Sequence, residues 1–529
     1  MQQNKDGVQS LYKQFGLFNL LLLLSVSSLS AGSFEDFKRT QNREFASYKD
    51  KRDAAFSNYL KAQWEEYNAK NSKPLYEKQK PKSTLKTVQK RVISVGPIIK
   101  IRIKKPKKTI KEPTIQQPKI QQPVEKKIIV KKESIIEKKP VVKKEIITLK
   151  KEKQKVQKQP EKVIITQKKD INLRFFGQDI GLDIDENFKS ARFYPRSQEG
   201  ISNYFNALAG SEYENTLNDI LRIKKELNLN DWGVYLLLNT LSSALYYDSD
   251  EAKLFTWFFF NKLGYSVKVG LHAKHVVLMH YSDKIIYSTP RYTFNKKKYY
   301  VVSNYAKGSA GKVYTYKQEY PDATKALDLS LKTLPNFKKD LITKRVSFKE
   351  FGKEFHTTYK YDKNLIDFMA TYPQADYETY FNAPMSDETY LSIANDIKNY
   401  IDGKKSSEGI NFVLNFVQKA FKYKTDQQQF GREKVMFADE TLYYDKSDCE
   451  DRAILFSYLI KELFGISVIG VKYKDHMATA LYIPMKGDSV KAGRREFVIA
   501  DPTYINANIG QSMPKYKNKI PESFIIVKR

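Results

Sequence analysis

Between about Asn71 and Lys169 the chain is built mainly from Lys, Pro, Ile, Val, Gln and Glu, as in KKPVVKKEIITLKKEKQKVQKQPEKVIITQKK. Like charges repel along such a stretch, prolines recur, and glycine is nearly absent, so it cannot bury a core. The composition predicts a stiff, extended, disordered linker over 71–169. At ~3.1 Å per residue in polyproline II geometry it reaches a few hundred Å at most. Whatever folds must do so on either side of it. Much of the formal net charge of +32, from 92 Lys+Arg against 60 Asp+Glu, sits in this stretch. The expected partner of the linker is therefore an anionic polymer or membrane surface. No recognised nucleic-acid module accompanies the charge, so specific nucleic-acid binding is not expected.

The N-terminal side reads as an export signal followed by a long helix. Lys5 and Lys13 precede an apolar run from Leu17 to Leu24, and small residues follow at Ser28, Ser30, Ala31 and Gly32. The run is too short to span a bilayer comfortably, which predicts a signal peptide over 1–31 and a periplasmic or cell-surface location. Over 33–70 aromatics recur every eleven residues, at Phe34, Phe45, Phe56 and Tyr67 and again at Phe37, Tyr48 and Tyr59. Eleven residues are close to three helical turns, so these rings line one stripe of a long helix that needs a partner, with self-association the simplest one.

From Ile171 the chain has the pattern of ordinary globular α+β protein, and it repeats itself. LFTWFFFNKLGYS, from Leu254, matches LFSYLIKELFGIS, from Leu455, without a gap. His275 then lies as far beyond Gly264 as His476 lies beyond Gly465, and Tyr281 matches Tyr482. Asp248 stands where the second copy has Cys449, and the alignment sets Thr289 against Asp501. The expected order is a degenerate copy over 171–305, a small β-rich unit over 306–384, and a complete copy over 385–529. Gly352 marks a hairpin turn in the middle unit.

Cys449 is the only cysteine, so no disulfide forms within the chain. An exported protein that keeps one thiol keeps a candidate reagent. Ser447 and Glu450 have capping-box spacing, which puts Cys449 in the first turn of an amphipathic helix with Phe456, Leu459, Ile460 and Leu463 on one face and Gly465 at its end. Unpaired N–H groups and the helix dipole favour a thiolate there. Asp448, Glu450 and Asp451 oppose ionisation unless they pair with Arg452 or another base. His476 opens a strand-like run and supplies an imidazole base. Asp501 ends the strand EFVIA and can orient that imidazole. His272, His275 and His280 form no recognisable metal-ligand set, and no cofactor is expected.

Cysteine at a helix start, histidine at the start of a strand and aspartate at the end of a later strand is the order of the transglutaminase-like, papain-related superfamily. The chain resembles a bacterial branch of it, with TDQQQFGREKVMFADETLYYDKSDCEDRAILFSYL before and around the cysteine and DPTYINANIGQSMP after the aspartate. The resemblance covers roughly the last 140 residues well. It implies that Cys449 is the nucleophile, His476 the general base and acid, and Asp501 the orienting group. It also implies an oxyanion donor, either the Cys449 N–H or a side chain such as Gln427, Gln428 or Gln429. Tyr443, Tyr444 and Tyr504 are candidates to line the cleft. The implied function is a cysteine-dependent peptidase, amidase or acyltransferase acting on a protein or cell-wall peptide. The alternative is a non-catalytic envelope scaffold with vestigial domains.

Overall fold

The computed structural model describes residues 34–62, 64–105, 169–304 and 311–528. The expected signal peptide and the linker residues 106–168 lie outside them. The aromatic repeat does form a helix, α1 (Phe34–Leu60), but it stops short of Tyr67. Residues that were expected to continue it turn instead into two short strands, β1 (Glu65–Asn68) and β2 (Lys70–Asn71). The stripe finds cover within the chain at Phe56, which is buried edge-on between Phe205, at 5.3 Å between ring centroids, and Tyr320, at 5.1 Å. Replacing Phe56 with alanine is expected to cost about 3–5 kcal/mol, the usual range for emptying a core aromatic site, read as a lower denaturation midpoint in urea.

The second correction concerns the linker. Residues 71–105 are ordered and lie on the globular part. Ile98 bridges to Lys405, the Ile101 N–H donates to Asp402 Oδ1 at 2.7 Å, and Ser407 Oγ donates to Ile93 O at 2.8 Å. The alternation of Ile and Val with Lys supplies apolar side chains, and the pairing partners are backbone and side-chain groups about 300 residues away in sequence. Nothing local marks that docking.

A first hairpin joins β3 (Ile171–Phe175) to β4 (Gln178–Leu182). Helices α2 (Asp231–Leu245) and α3 (Ser249–Lys262) then pack together and against a sheet. Its strands are β5 (Val267–His272), β6 (His275–Tyr281), β7 (Pro290–Phe294), β8 (Lys297–Tyr300) and β9 (Lys312–Thr315). With β1 and β2 they form a near-closed seven-stranded barrel of order β1-β9-β5-β6-β8-β7-β2, antiparallel throughout.

The expected β-rich unit reduces to one long hairpin, β10 (Leu341–Glu350) and β11 (Lys353–Asp362), whose turn holds Phe351 at φ 48° and Gly352 at φ 77°. Two consecutive residues at positive φ make a tight hairpin turn, where glycine fits without strain. Leu327, Leu329 and Leu331, which alternate within the expected β-rich unit, are buried but make no ladder. The hairpin packs on α4 (Asp387–Ile401).

The C-terminal part repeats the pattern of helix pair and sheet. Helices α5 (Ser406–Lys419) and α6 (Cys449–Phe464) pack together. Between them lies a two-residue parallel ladder, β12 (Lys422–Tyr423) with β13 (Lys446–Ser447). The half-barrel sheet holds β14 (Val468–Lys472), β15 (Met477–Leu481), β16 (Ser489–Ala492), β17 (Arg495–Ala500) and β18 (Ser523–Ile526), in the order β16-β17-β15-β14-β18. Five strands of the barrel follow the same order, β7-β8-β6-β5-β9. The architecture is thus mixed α+β. No helix among the described residues is long and apolar enough to cross a membrane.

The ladders shift one equivalence drawn from the sequence. Thr479 pairs with Ala500, and His280 pairs with Tyr300. With His476 set on His275, Thr479 falls on Leu278; two residues back from His280, its partner on the extended ladder is Val302. Asp501 therefore corresponds to Ser303 rather than to Thr289, whose hydroxyl donates to Tyr287 O.

Candidate active site

The helix that carries the cysteine starts one residue later than its capping box predicted. Asp448 is the N-cap, and its N–H donates to Asp451 Oδ2 at 3.1 Å. Asp451 Oδ1 accepts from the Met436 N–H at 2.9 Å. Ser447 Oγ instead accepts from Arg452 Nε at 3.1 Å. Gly465, at φ 66°, ends the helix as expected. Cys449 is the first helical residue and is fully buried. Nearly all of α6 is buried, not one face of it, because α5, the sheet and the segment after β2 all cover it.

His476 sits at the end of the β14–β15 hairpin, where its carbonyl accepts from the Tyr473 N–H at 2.8 Å. Its Nε2 lies 2.9 Å from Asp501 Oδ2. With the carboxylate accepting, Nε2 carries the proton, and Nδ1 is the nitrogen left to accept one. Asp501 is itself held: Oδ1 accepts from the Thr503 N–H at 2.9 Å. Gln418, buried at the end of α5, donates from Nε2 to Asp501 O and Ala507 O, both at 3.0 Å. Tyr516 stacks on the imidazole at 4.8 Å and 18° between planes, with Tyr473 beyond it. The dyad is therefore held by a stacked ring and by the backbone of its own loop.

The thiol has different company. Cys449 Sγ donates to Glu450 Oε2 at 3.2 Å, and Tyr76 Oη lies 3.6 Å from the sulfur. Tyr76 also donates to Glu450 Oε2 at 3.1 Å. Lys80 Nζ lies 2.9 Å from Asp426, 2.9 Å from Glu433, 2.8 Å from Asp448 and 2.5 Å from Glu450. Of the three acids near the cysteine, Asp448 and Glu450 thus find a base, but it is Lys80 and not Arg452, while Asp451 is met by backbone N–H groups. Burial, with Glu450 and Asp448 beside it, pushes the Cys449 thiol well up, and Lys80 and the Tyr76 hydroxyl oppose that only in part. The helix-terminus effect is worth at most ~2 kcal/mol and loses to full burial beside two carboxylates. The sulfur is a thiol in this arrangement, and among the described residues no hydrogen bond joins it to His476.

The two halves are nonetheless neighbours. Helix α6 packs directly on β15, the strand that His476 precedes. Tyr516, stacked on His476, is pushed up by burial first and then by the charges of Asp475, Cys449 and Asp501.

Gln427 and Gln428 are exposed and Gln429 is half-buried. Gln428 Oε1 accepts from the Thr425 N–H at 3.3 Å, capping a short helix. None of the three bonds to Cys449 among the described residues. Tyr443 packs on Tyr361 at 5.2 Å and on Tyr444 at 4.8 Å, and Tyr444 packs on Phe430 at 5.2 Å. Tyr504 joins the buried cluster of Tyr473, Met513 and Tyr516 behind the dyad. The residues that surround the thiol, Tyr76, Lys80 and Asp426, carry no spacing relation to it in sequence. Asp426, Asp448 and Asp451 bring carboxylate oxygens within 4.8 Å of one another, as do Asp426, Glu433 and Glu450, and the cation held there is the Lys80 ammonium.

On the barrel side, Asp248 and Asp250 pair with Arg196, and His275 Nδ1 lies 3.0 Å from Asp250 Oδ2. That carboxylate and imidazole have no thiol between them. No family model, curated protein or solved structure matches this chain.

Proposed function

We propose that residues 385–529 form a cysteine-dependent acyl-transfer or peptide-cleaving domain of the transglutaminase-like, papain-related kind, carried by an exported protein. The observation that supports it best is the buried His476–Asp501 pair, clamped by Tyr516 and Gln418, beside the strand on which the helix bearing the lone cysteine packs. A structural histidine does not need a buried carboxylate that is itself held by a backbone N–H, and an imidazole so oriented is what a thiol needs to lose its proton. The matching strand orders of the two halves fit a duplicated domain whose first copy lacks the thiol.

In this reading His476 Nδ1 takes the Cys449 proton as sulfur attacks an amide carbonyl. The S–C bond forms and the carbonyl π pair moves to oxygen, with the Cys449 N–H at the helix start as a candidate donor to that oxyanion. His476 returns the proton to the leaving nitrogen as the C–N bond breaks, and a thioester remains. Water then releases a carboxylic acid, or an incoming amine forms a new amide. Both outcomes share the acyl-enzyme.

A second reading, a scaffold without chemistry, is favoured by one observation: the thiol is spent on Glu450 and covered by Tyr76. One experiment separates the two. Purified wild-type and Lys80→Gln proteins are incubated with peptides, proteins and cell-wall fragments, and bonds gained or lost are followed by mass spectrometry. Products that fall by about a thousandfold or more on Cys449→Ala and on His476→Ala are expected. Identical spectra in all four proteins would leave the scaffold.

A further inference from the structure

The segment after β2 crosses the site. Leu75, Tyr76 and Lys80 are buried, Pro81 O accepts from Tyr423 Oη at 2.8 Å, and the chain then pairs with the loop that follows Asp501. Ile505 N–H donates to Leu85 O and Thr87 N–H donates to Ile505 O, both at 3.0 Å, and Asn506 Nδ2 donates to Thr87 O at 2.9 Å. Extended backbone laid beside the dyad, one aromatic side chain on the thiol and one side chain plunged into a pocket is how a groove holds a peptide ligand by strand addition.

The pocket under Lys80 needs a cation. Asp448 is the N-cap of α6 and Glu450 belongs to its first turn, and Asp426 starts a short helix (Asp426–Phe430) earlier in the chain. Among the described residues Lys80 is the one cation within ion-pair distance of Asp426, Asp448 and Glu450. Arg452 is turned to Ser447 Oγ and two carbonyls, and Lys434 to Glu440. Buried carboxylates without a counter-ion are costly. The domain therefore carries a preformed ammonium pocket at the nucleophile, filled from a segment some 350 residues away in sequence.

We propose that residues 72–90 lie across the site as an intramolecular pseudosubstrate, and that the pocket under Lys80 is the subsite for the primary ammonium side chain of a lysine-type residue in a peptide substrate. The substrate half of this rests on the acyl-transfer reading; the occlusion half does not. The segment must leave before a peptide enters, and a peptide carrying its own ammonium restores the charge balance that the departing Lys80 removes.

The test uses alkylation of the full chain by iodoacetamide, which reports a single site because Cys449 is the only thiol. A buried thiol reacts through opening, so its rate measures how tightly the segment is seated. The Tyr76→Ser/Lys80→Gln double variant is expected to react at least about tenfold faster than wild type at the same pH. Loss of Lys80 by itself disfavours the thiolate, so a faster reaction cannot arise from that charge. A synthetic peptide of residues 72–90 added in trans should restore protection in a saturable way, and the same peptide with norleucine in place of the lysine should not. Lys80→Arg, which keeps the cation, should remain within about twofold of wild type and guards against a folding artefact.

An unchanged rate in the double variant overturns the occlusion. Equal protection by both peptides overturns the ammonium subsite. Fast alkylation without any peptide product sinks the acyl-transfer reading while leaving the pseudosubstrate in place. Products formed equally by wild type and the double variant do the reverse.

Discussion

Raising the pH from about 5 to about 9 is expected to destabilise this protein, with urea midpoints falling steadily across the range. The cause is a set of buried carboxyls whose proton affinity the fold raises, so that ionising them costs more folded than unfolded. Asp439 is 1% exposed, accepts from the Ser386 N–H through Oδ1 at 3.3 Å and has no partner for Oδ2. Burial pushes its carboxyl up to about 7. Asp426, Asp448 and Asp451 are also raised, first by burial, with their neighbours' charges adding to it and Lys80 opposing. A group whose folded pKa lies above its unfolded one stabilises the fold fully below the unfolded value, near 3.9 for aspartate, and that contribution disappears as the pH rises through the folded value. For Asp439 alone the gap of about three units, from a usual ~3.9 to about 7, corresponds to ~4 kcal/mol. The coupled acids under Lys80 act in the same direction. An Asp439→Asn variant should flatten most of the pH slope that Asp439 causes, because an amide is neutral at every pH and its oxygen can still accept from the Ser386 N–H. A slope of the opposite sign would mean that these carboxyls are ionised and satisfied in solution.

The parts of the site that were legible from the sequence share a property: each is fixed by its immediate neighbours in the chain. Gly465 ends a helix because a left-handed residue is needed there, and Gly352 turns a hairpin for the same reason. His476 and Asp501 could be placed at the ends of strands because apolar runs mark strands, and the two do meet at 2.9 Å. What escaped is long-range. The one-residue shift of the N-cap from Ser447 to Asp448 follows from Arg452 claiming the serine hydroxyl. Asp501 was set against Thr289, and only the strand pairing corrects this: Leu481 pairs with Val498 and His280 with Tyr300, which carries Asp501 onto Ser303. The largest miss is residues 71–105. Their composition does argue against an independent core, and they form none; they are ordered because pockets and free backbone groups elsewhere receive them. Composition predicts what a segment can do alone and is silent about what a partner surface makes of it.

Replacing Arg452 with methionine is expected to cost about 3–5 kcal/mol of stability, although methionine is the better core residue. The guanidinium is fully buried inside α6, and burial draws its pKa down to about 10, so it remains cationic at neutral pH. Desolvating that charge is unfavourable, and the substitution would relieve it. The opposing term is larger. Arg452 donates to Ser447 Oγ at 3.1 Å, to Gln418 O at 3.1 Å and to Phe421 O at 2.7 Å, and its plane faces the Tyr423 ring at 5.5 Å. Gln418 lies in the last turn of α5, where helix carbonyls have no partners of their own, and Phe421 just follows the C-cap Ala420. Methionine leaves both carbonyls and the serine hydroxyl buried and unmet, at about 1–3 kcal/mol for each. It also removes a positive charge near Asp448 and Asp451, which already tend toward the neutral acid. Arg452→Lys should fall between the two proteins, because one ammonium keeps the charge but cannot span three acceptors in a fork. Equilibrium urea denaturation of the three proteins at one pH decides the matter. A methionine variant within about 1 kcal/mol of wild type would show that relief of the buried charge balances the orphaned acceptors, and that α5 and α6 are held together by apolar packing alone.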